Sequence, residues 1–138
     1  MTRLLSIVFL ALVAQGATAD TPTRTAIASA HRLATEAGFE VLAAGGNAFD
    51  AAIAVSAALA VVEPSSSGIG GGGFWLLRRA EDGHTIMLDG REQAPAAATR
   101  DMYLDDAGDV DRMLAVSGPL AAGIPGEPAA LDYLATHY

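Results

Sequence analysis

Residues 45–74, GGNAFDAAIAVSAALAVVEPSSSGIGGGGF, decide the fold, because one helix, its two boundaries and a long glycine loop are all written there. Gly45-Gly46 has the form of a helix C-cap pair, where the chain leaves the right-handed helical region. Asn47 is a good N-cap residue, and Asp50 puts negative charge into the first turn that follows. Residues 50–62 are apolar on every face, which predicts a helix buried all round. The segment is shorter than the roughly 20 residues a bilayer span takes, and Pro64 stops it. Residues 65–73 then read as a loop whose glycines allow close backbone approach.

Working outward, residues 31–44 carry Leu33, Ala34, Ala37, Val41 and Leu42 at helical spacing, an amphipathic helix ending at the glycine pair. Upstream, residues 25–29 alternate small and apolar residues and predict a first strand. Downstream, residues 74–78 (FWLLR) and 85–88 (TIML) predict two strands around an Asp82-Gly83 turn, with Asp89-Gly90-Arg91-Glu92 at the end of the second. Residues 99–111 form a polar connection with a helical turn near 101–104. A short strand is expected near 121–124. A last helix starts near Pro128, with Leu131, Leu134 and Tyr138 on one face.

Composition narrows the function. The chain has 138 residues, enough for one domain with a real core, and 51% are hydrophobic while only 6% are aromatic. Alanine and glycine make up the difference, so the core must pack small side chains with backbones close together. The net charge is −8 and all eight basic residues are scattered arginines, which argues against a nucleic-acid partner. Cysteine is absent, which removes disulfides, thiolate nucleophiles and CxxC sites. At the start, Arg3, a mostly apolar run over residues 4–13 and Ala17-Thr18-Ala19 have the layout of a secretory signal peptide. Residues 1–19 are therefore expected to be an export signal, leaving a periplasmic or secreted chain over 20–138 with no stable membrane span.

Few residues offer chemistry. Gly68 to Gly73 formally matches G-x-G-x-x-G, but a dinucleotide fold needs that motif after a strand and opening a helix. Here a helix precedes and a strand follows. Ser65, Ser66 and Ser67 have no G-x-S-x-G context, and His31, His84 and His137 have neither triad context nor metal spacing. No cofactor and no metal is expected. Arg91 stands out, at a strand end after a small residue in a chain poor in positive charge. Arginine can grip a carboxylate with two parallel bonds. The competing reading is an ordinary surface pair with Glu92 or Asp89.

Three runs carry a family resemblance: residues 45–52 (GGNAFDAA) with 62–74 (VEPSSSGIGGGGF), residues 88–95 (LDGREQAP), and residues 118–126 (GPLAAGIPG). Together they resemble gamma-glutamyltransferases over about residues 25–138, with Ser65 standing where relatives often carry histidine. The resemblance implies an α+β fold of the N-terminal-nucleophile hydrolase type, an αββα sandwich of which this chain holds an incomplete part belonging to the large subunit. It implies a precursor that cuts itself into large and small subunits and an enzyme that cleaves the gamma-glutamyl amide of glutathione, passing the acyl group to water or an amino acid. The nucleophile would be a threonine beyond Tyr138, and Thr21, which precedes Pro22 in the leader, does not replace it. No catalytic residue is therefore expected in these 138 residues. In the family, the arginine matching Arg91 binds the α-carboxylate of the glutamyl group. Two other readings stay open: a non-catalytic secreted binding protein reusing the fold, and a related N-terminal-nucleophile acylase.

Overall fold

The computed structural model describes residues 25–138, so the export signal expected at 1–19 lies outside the described residues. Helix α1, Arg32–Ala43, starts at His31, whose Nδ1 accepts a hydrogen bond from the Leu33 amide. It ends at the glycine pair. The Gly45 and Gly46 amides donate back to the carbonyls of Leu42 and Val41, and Gly45 takes φ +96°, a conformation that favours glycine. Helix α2, Ala48–Val62, starts directly after Asn47, the expected N-cap, and the cap is reciprocal. Asn47 Oδ1 accepts from the amides of Phe49 (2.6 Å) and Asp50 (3.0 Å), while Asp50 Oδ2 accepts from the Asn47 amide at 2.8 Å.

Beyond Val62 the expected loop first makes one helical turn, α3, Pro64–Ser67. Proline suits the first helical position, and the Glu63 carbonyl accepts from the Ser66 and Ser67 amides. Strands β1, Gly73–Arg78, and β2, Thr85–Gly90, then form an antiparallel hairpin in which Leu76 faces Met87 and Gly73 faces Gly90. The turn is clamped by Arg79, which reaches Asp82 through two nitrogens at 2.6 and 3.1 Å, and Asp82 also accepts from the His84 amide. The bond from Arg79, followed by that from the His84 amide, holds the Asp82 carboxyl well below the usual carboxylate range.

A short helix, α4, Arg112–Val116, follows the polar connection; the sequence reading did not foresee it, although Asp111 caps it in the ordinary way. The turn expected at 101–104 is present, closed by the Leu104 amide on the Asp101 carbonyl. The strand expected near 121–124 shrinks to a single bridge between Ile124 and Gln93, preceded by a 3₁₀ turn at Pro119–Ala121. Helix α5, Glu127–His137, closes the described chain. Its far end docks on the start of α2: Asn47 Nδ2 donates to the Tyr138 carbonyl at 3.0 Å, and the Phe49 and Tyr138 rings lie 4.9 Å apart.

Two expectations are corrected. Residues 25–29 form no strand; among the described residues the sheet consists of β1 and β2 alone. Ile27 instead lies over the α1–α2 junction, where a methyl built on Gly38 would come within 2.7 Å of its Cδ1 and 2.8 Å of Val55. Helix α2 is not buried all round: Ala51 is its one buried residue, and Val61 is 78% exposed. Helices α1, α3 and α5 cover only part of its circumference. The small-residue core, by contrast, is as composition demands. Ala34, Ala51 and Ala130 are buried with Leu77 and Leu134.

The hairpin divides cleanly into two faces. Trp75, Leu77, Ile86 and Leu88 turn inward, whereas Phe74, Leu76 and Met87 turn out and are at least 60% exposed. Large apolar surfaces left open in this way favour association over independent folding. Residues 20–138 produced alone should therefore bind a hydrophobic dye and unfold without a sharp transition. A cooperative thermal transition in a monomer that leaves the dye dark would overturn this expectation.

Candidate functional site

Strand β2 ends at Gly90, and Arg91 comes next. Its backbone lies between two anchors. On one side the ladder pairs Gly90 with Gly73. On the other, Gln93 and Ile124 exchange both backbone bonds, at 3.0 and 2.8 Å. Arg91 and Glu92 are the residues left between these fixed points, and the Arg91 amide donates to Asp89 Oδ1 at 3.0 Å.

The glycine run supplies a third support. The Gly71 carbonyl accepts from the amides of Gly126 (3.1 Å) and Glu127 (3.2 Å), at the start of α5. That helix has no side-chain cap, so this carbonyl satisfies amides that would otherwise lack a partner. The run thus serves as an acceptor aimed at a helix start. A phosphate-binding loop does the opposite and offers donors to an anion.

The Arg91 side chain is 56% exposed, and its Nε pairs with Glu92 Oε2 at 3.2 Å. The surface pair weighed from the sequence is therefore present. It engages only Nε; among the described residues, neither terminal guanidinium nitrogen donates a hydrogen bond. The arginine lines an open cleft of about 380 Å³ together with Asp89, Gln93, Ile124 and Tyr133. A cleft of similar size between residues 25–28 and α2 has only alanine, aliphatic and hydroxyl side chains and offers nothing to hold a charged ligand.

Ser66 and Ser67 lie on α3 and line a smaller cleft with Trp75 and Glu127. No histidine joins them. His31 caps α1, His84 sits at the hairpin turn, and His137 stacks on Tyr133 at the end of α5. Among the described residues, no group of three or more histidine, aspartate or glutamate side chains gathers where it could hold a metal ion. No described helix is long and apolar enough to cross a membrane.

Glu127 is the ionisable residue that the sequence reading passed over. It is buried at 6% exposure in the first turn of α5, and burial pushes its carboxyl up from the ordinary value. The folded state then holds that proton more tightly than the unfolded one. Its contribution favours folding at acid pH and is lost as pH rises through the raised value. The signal in the sequence was an acid directly after the Pro125-Gly126 break, in the turn where a helix favours negative charge.

The gamma-glutamyltranspeptidase family model matches residues 34–138. Among curated relatives, the glutathione hydrolase proenzyme of Pseudomonas sp. (strain A14) is 47% identical over 112 residues, covering 81% of this chain and 19% of the relative. The proenzyme of Escherichia coli (strain K12) is 46% identical over the same length and the same shares. The chain therefore spans about a fifth of the length of these relatives. A solved gamma-glutamyltranspeptidase from Pseudomonas nitroreducens, complexed with L-DON, superposes with a TM-score of 0.81 at 41% identity, over 86% of this chain and 35% of that one. The Helicobacter pylori enzyme gives 0.78 at 45% identity, over 85% and 34%. The family model spans both the glycine run and the Arg91 turn, and the chain belongs to the gamma-glutamyltranspeptidase family, carrying part of its α+β, N-terminal-nucleophile hydrolase fold.

Proposed function

We propose that this chain supplies the carboxylate-binding part of an exported glutathione hydrolase that also transfers the gamma-glutamyl group to amino acids or peptides. Arg91 is the residue that grips the α-carboxylate of the glutamyl substrate. The observation that carries this reading is the anchored Arg91 backbone combined with an exposed guanidinium that lines a cleft and is paired, among the described residues, through Nε to Glu92. The names of the relatives, glutathione hydrolase proenzymes, supply the substrate class. Export rests on the signal layout of residues 1–19.

Energetics favour substrate over the resident partner. An exposed ion pair such as Arg91–Glu92 contributes about 0–1 kcal/mol. A charge-assisted bidentate pair contributes about 1.5–3 kcal/mol, roughly 10- to 150-fold in affinity. An incoming α-carboxylate can therefore take the fork without undoing anything the fold depends on. With the carboxylate held, the gamma-glutamyl amide lies at a set distance from Arg91, where a threonine hydroxyl outside these residues would attack it. That threonine would be the first residue of a small subunit cut from the same precursor, its free α-amine accepting the hydroxyl proton near neutral pH. The acyl ester formed as the amine leaves is then resolved by water or by an acceptor amine.

Residues 20–138 alone should not hydrolyse a gamma-glutamyl anilide above the uncatalysed rate. Turnover by the purified chain would put a nucleophile inside it and overturn the division of labour. In the full-length enzyme, wild type should strongly prefer a gamma-glutamyl substrate over its α-carboxamide analogue. Arg91→Ala should lose that preference while the precursor still cuts itself. Arg91→Lys, keeping the charge without the fork, should recover only part of it. If Arg91→Ala discriminates as well as wild type, Arg91 is a surface residue paired with Glu92 and nothing more.

A further inference from the structure

Gly72, Gly90 and Gly126 come from three separate parts of the chain and meet at the Arg91 peptide. None of them takes positive φ; among the described residues only Gly45, Gly83, Gly108 and Gly118 do. An alanine at these three places would thus suffer no dihedral penalty, and what excludes it is space. A Cβ on Gly72 would overlap the Gly90 carbonyl oxygen and stand 2.9 Å from Arg91 Cα and 3.0 Å from Arg91 C. A Cβ on Gly126 would overlap the carbonyl oxygens of both Arg91 and Gly90, with Gly90 C at 2.7 Å. A Cβ on Gly90 would reach Trp75 Cζ3 at 2.5 Å and Ala130 Cβ at 2.6 Å. The backbone before and at Arg91 is therefore gripped by Gly72 in the glycine run just before β1 and by Gly126 at a helix start, with no side chain between.

We infer that this crossing of three glycines is the device that aims Arg91. The inference rests on the proposed carboxylate-binding role of Arg91. The hydrogen bonds around the crossing point the same way. Gly71 ties the glycine run to Gly126 and Glu127, and the Gln93–Ile124 bridge fixes the backbone two residues beyond Arg91. A methyl at Gly126 presses directly on the Arg91 carbonyl, so relieving it moves the Arg91 peptide. Misplacement of about 1 Å in a group that orients substrate costs on the order of 10²-fold in rate. Gly72, Gly90 and Gly126 are thus positioning residues, acting through Arg91.

The test uses the full-length, self-processed enzyme and the paired acid and α-carboxamide substrates. Gly126→Ala should raise KM for the acid about 10- to 100-fold and collapse the acid preference, as Arg91→Ala does. Gly38→Ala is the control for packing damage elsewhere. It creates contacts of 2.7 and 2.8 Å at the α1–α2 junction, away from Arg91, and should lower the melting temperature while leaving the acid preference intact. If Gly126→Ala is processed and keeps the wild-type preference, the positioning role is wrong. If Arg91→Ala itself keeps the preference, the failure lies in the substrate-binding reading instead. Where Gly126→Ala does not mature, Gly90→Ala is compared with Gly90→Ala/Ala130→Gly, which removes one of the two atoms in the way. Preference lost in the single variant supports the crossing, the more so where the double regains part of it, and wild-type preference in the single variant overturns it.

Discussion

The described structure depends on one carbonyl. Gly71 O accepts two amides at the start of α5, and through them joins the glycine run to the last helix. Without that link α5 would begin with unpaired donors, since no side chain caps it. Glycine is demanded beside it, at Gly72 and Gly126, because the backbone segments there lie closer together than a Cβ allows. The cost is entropic, since each glycine loses more conformational freedom on folding than any other residue. Reciprocal capping at Asn47, the Asn47–Tyr138 bond and the burial of Leu134 help to offset it.

The same constraint connects fold to chemistry. A long cationic side chain on an exposed loop samples many rotamers and binds weakly, whereas one rooted in a fixed backbone loses less freedom when it binds. Arg91 lies between the β-ladder and the Gln93–Ile124 bridge, so its root is fixed while its fork stays in solvent. The resident partner, Glu92, holds the guanidinium by Nε alone. An arrangement that is rigid at Cα and loosely engaged at the tip suits a residue that must exchange one carboxylate for another.

Open apolar surface is the other consequence of this architecture. The outward side of the hairpin and Val61 of α2 carry apolar side chains without cover among the described residues, and most of α2 is only half-buried. A helix apolar on every face is stable only with neighbours all around it, and α1, α3 and α5 do not encircle α2. Small side chains in the buried part bring helices close but bury little area per residue. The balance between tight local packing and open apolar faces follows from a composition rich in alanine and poor in aromatics.

By itself the sequence determined the elements whose hydrogen bonds close within a few residues. The Gly45-Gly46 stop, the Asn47–Asp50 cap, the turn around Asp82 and Gly83 and the last helix all appear where local chemistry put them, and Arg91 does follow the end of a strand. Long-range partners decided the rest. Whether residues 25–29 pair, which faces of α2 are covered and why Glu127 is buried depend on segments distant in sequence, and no local pattern encodes them. The glycines show the difference most clearly. The run at 68–73 reads as a loop whose glycines allow close backbone approach, and Gly72, with Gly90 and Gly126 from elsewhere in the chain, is needed for the space a side chain would fill and not for positive φ. Composition can announce that backbones will approach closely; only the tertiary structure decides which ones meet, because the excluded volume belongs to residues far apart along the chain.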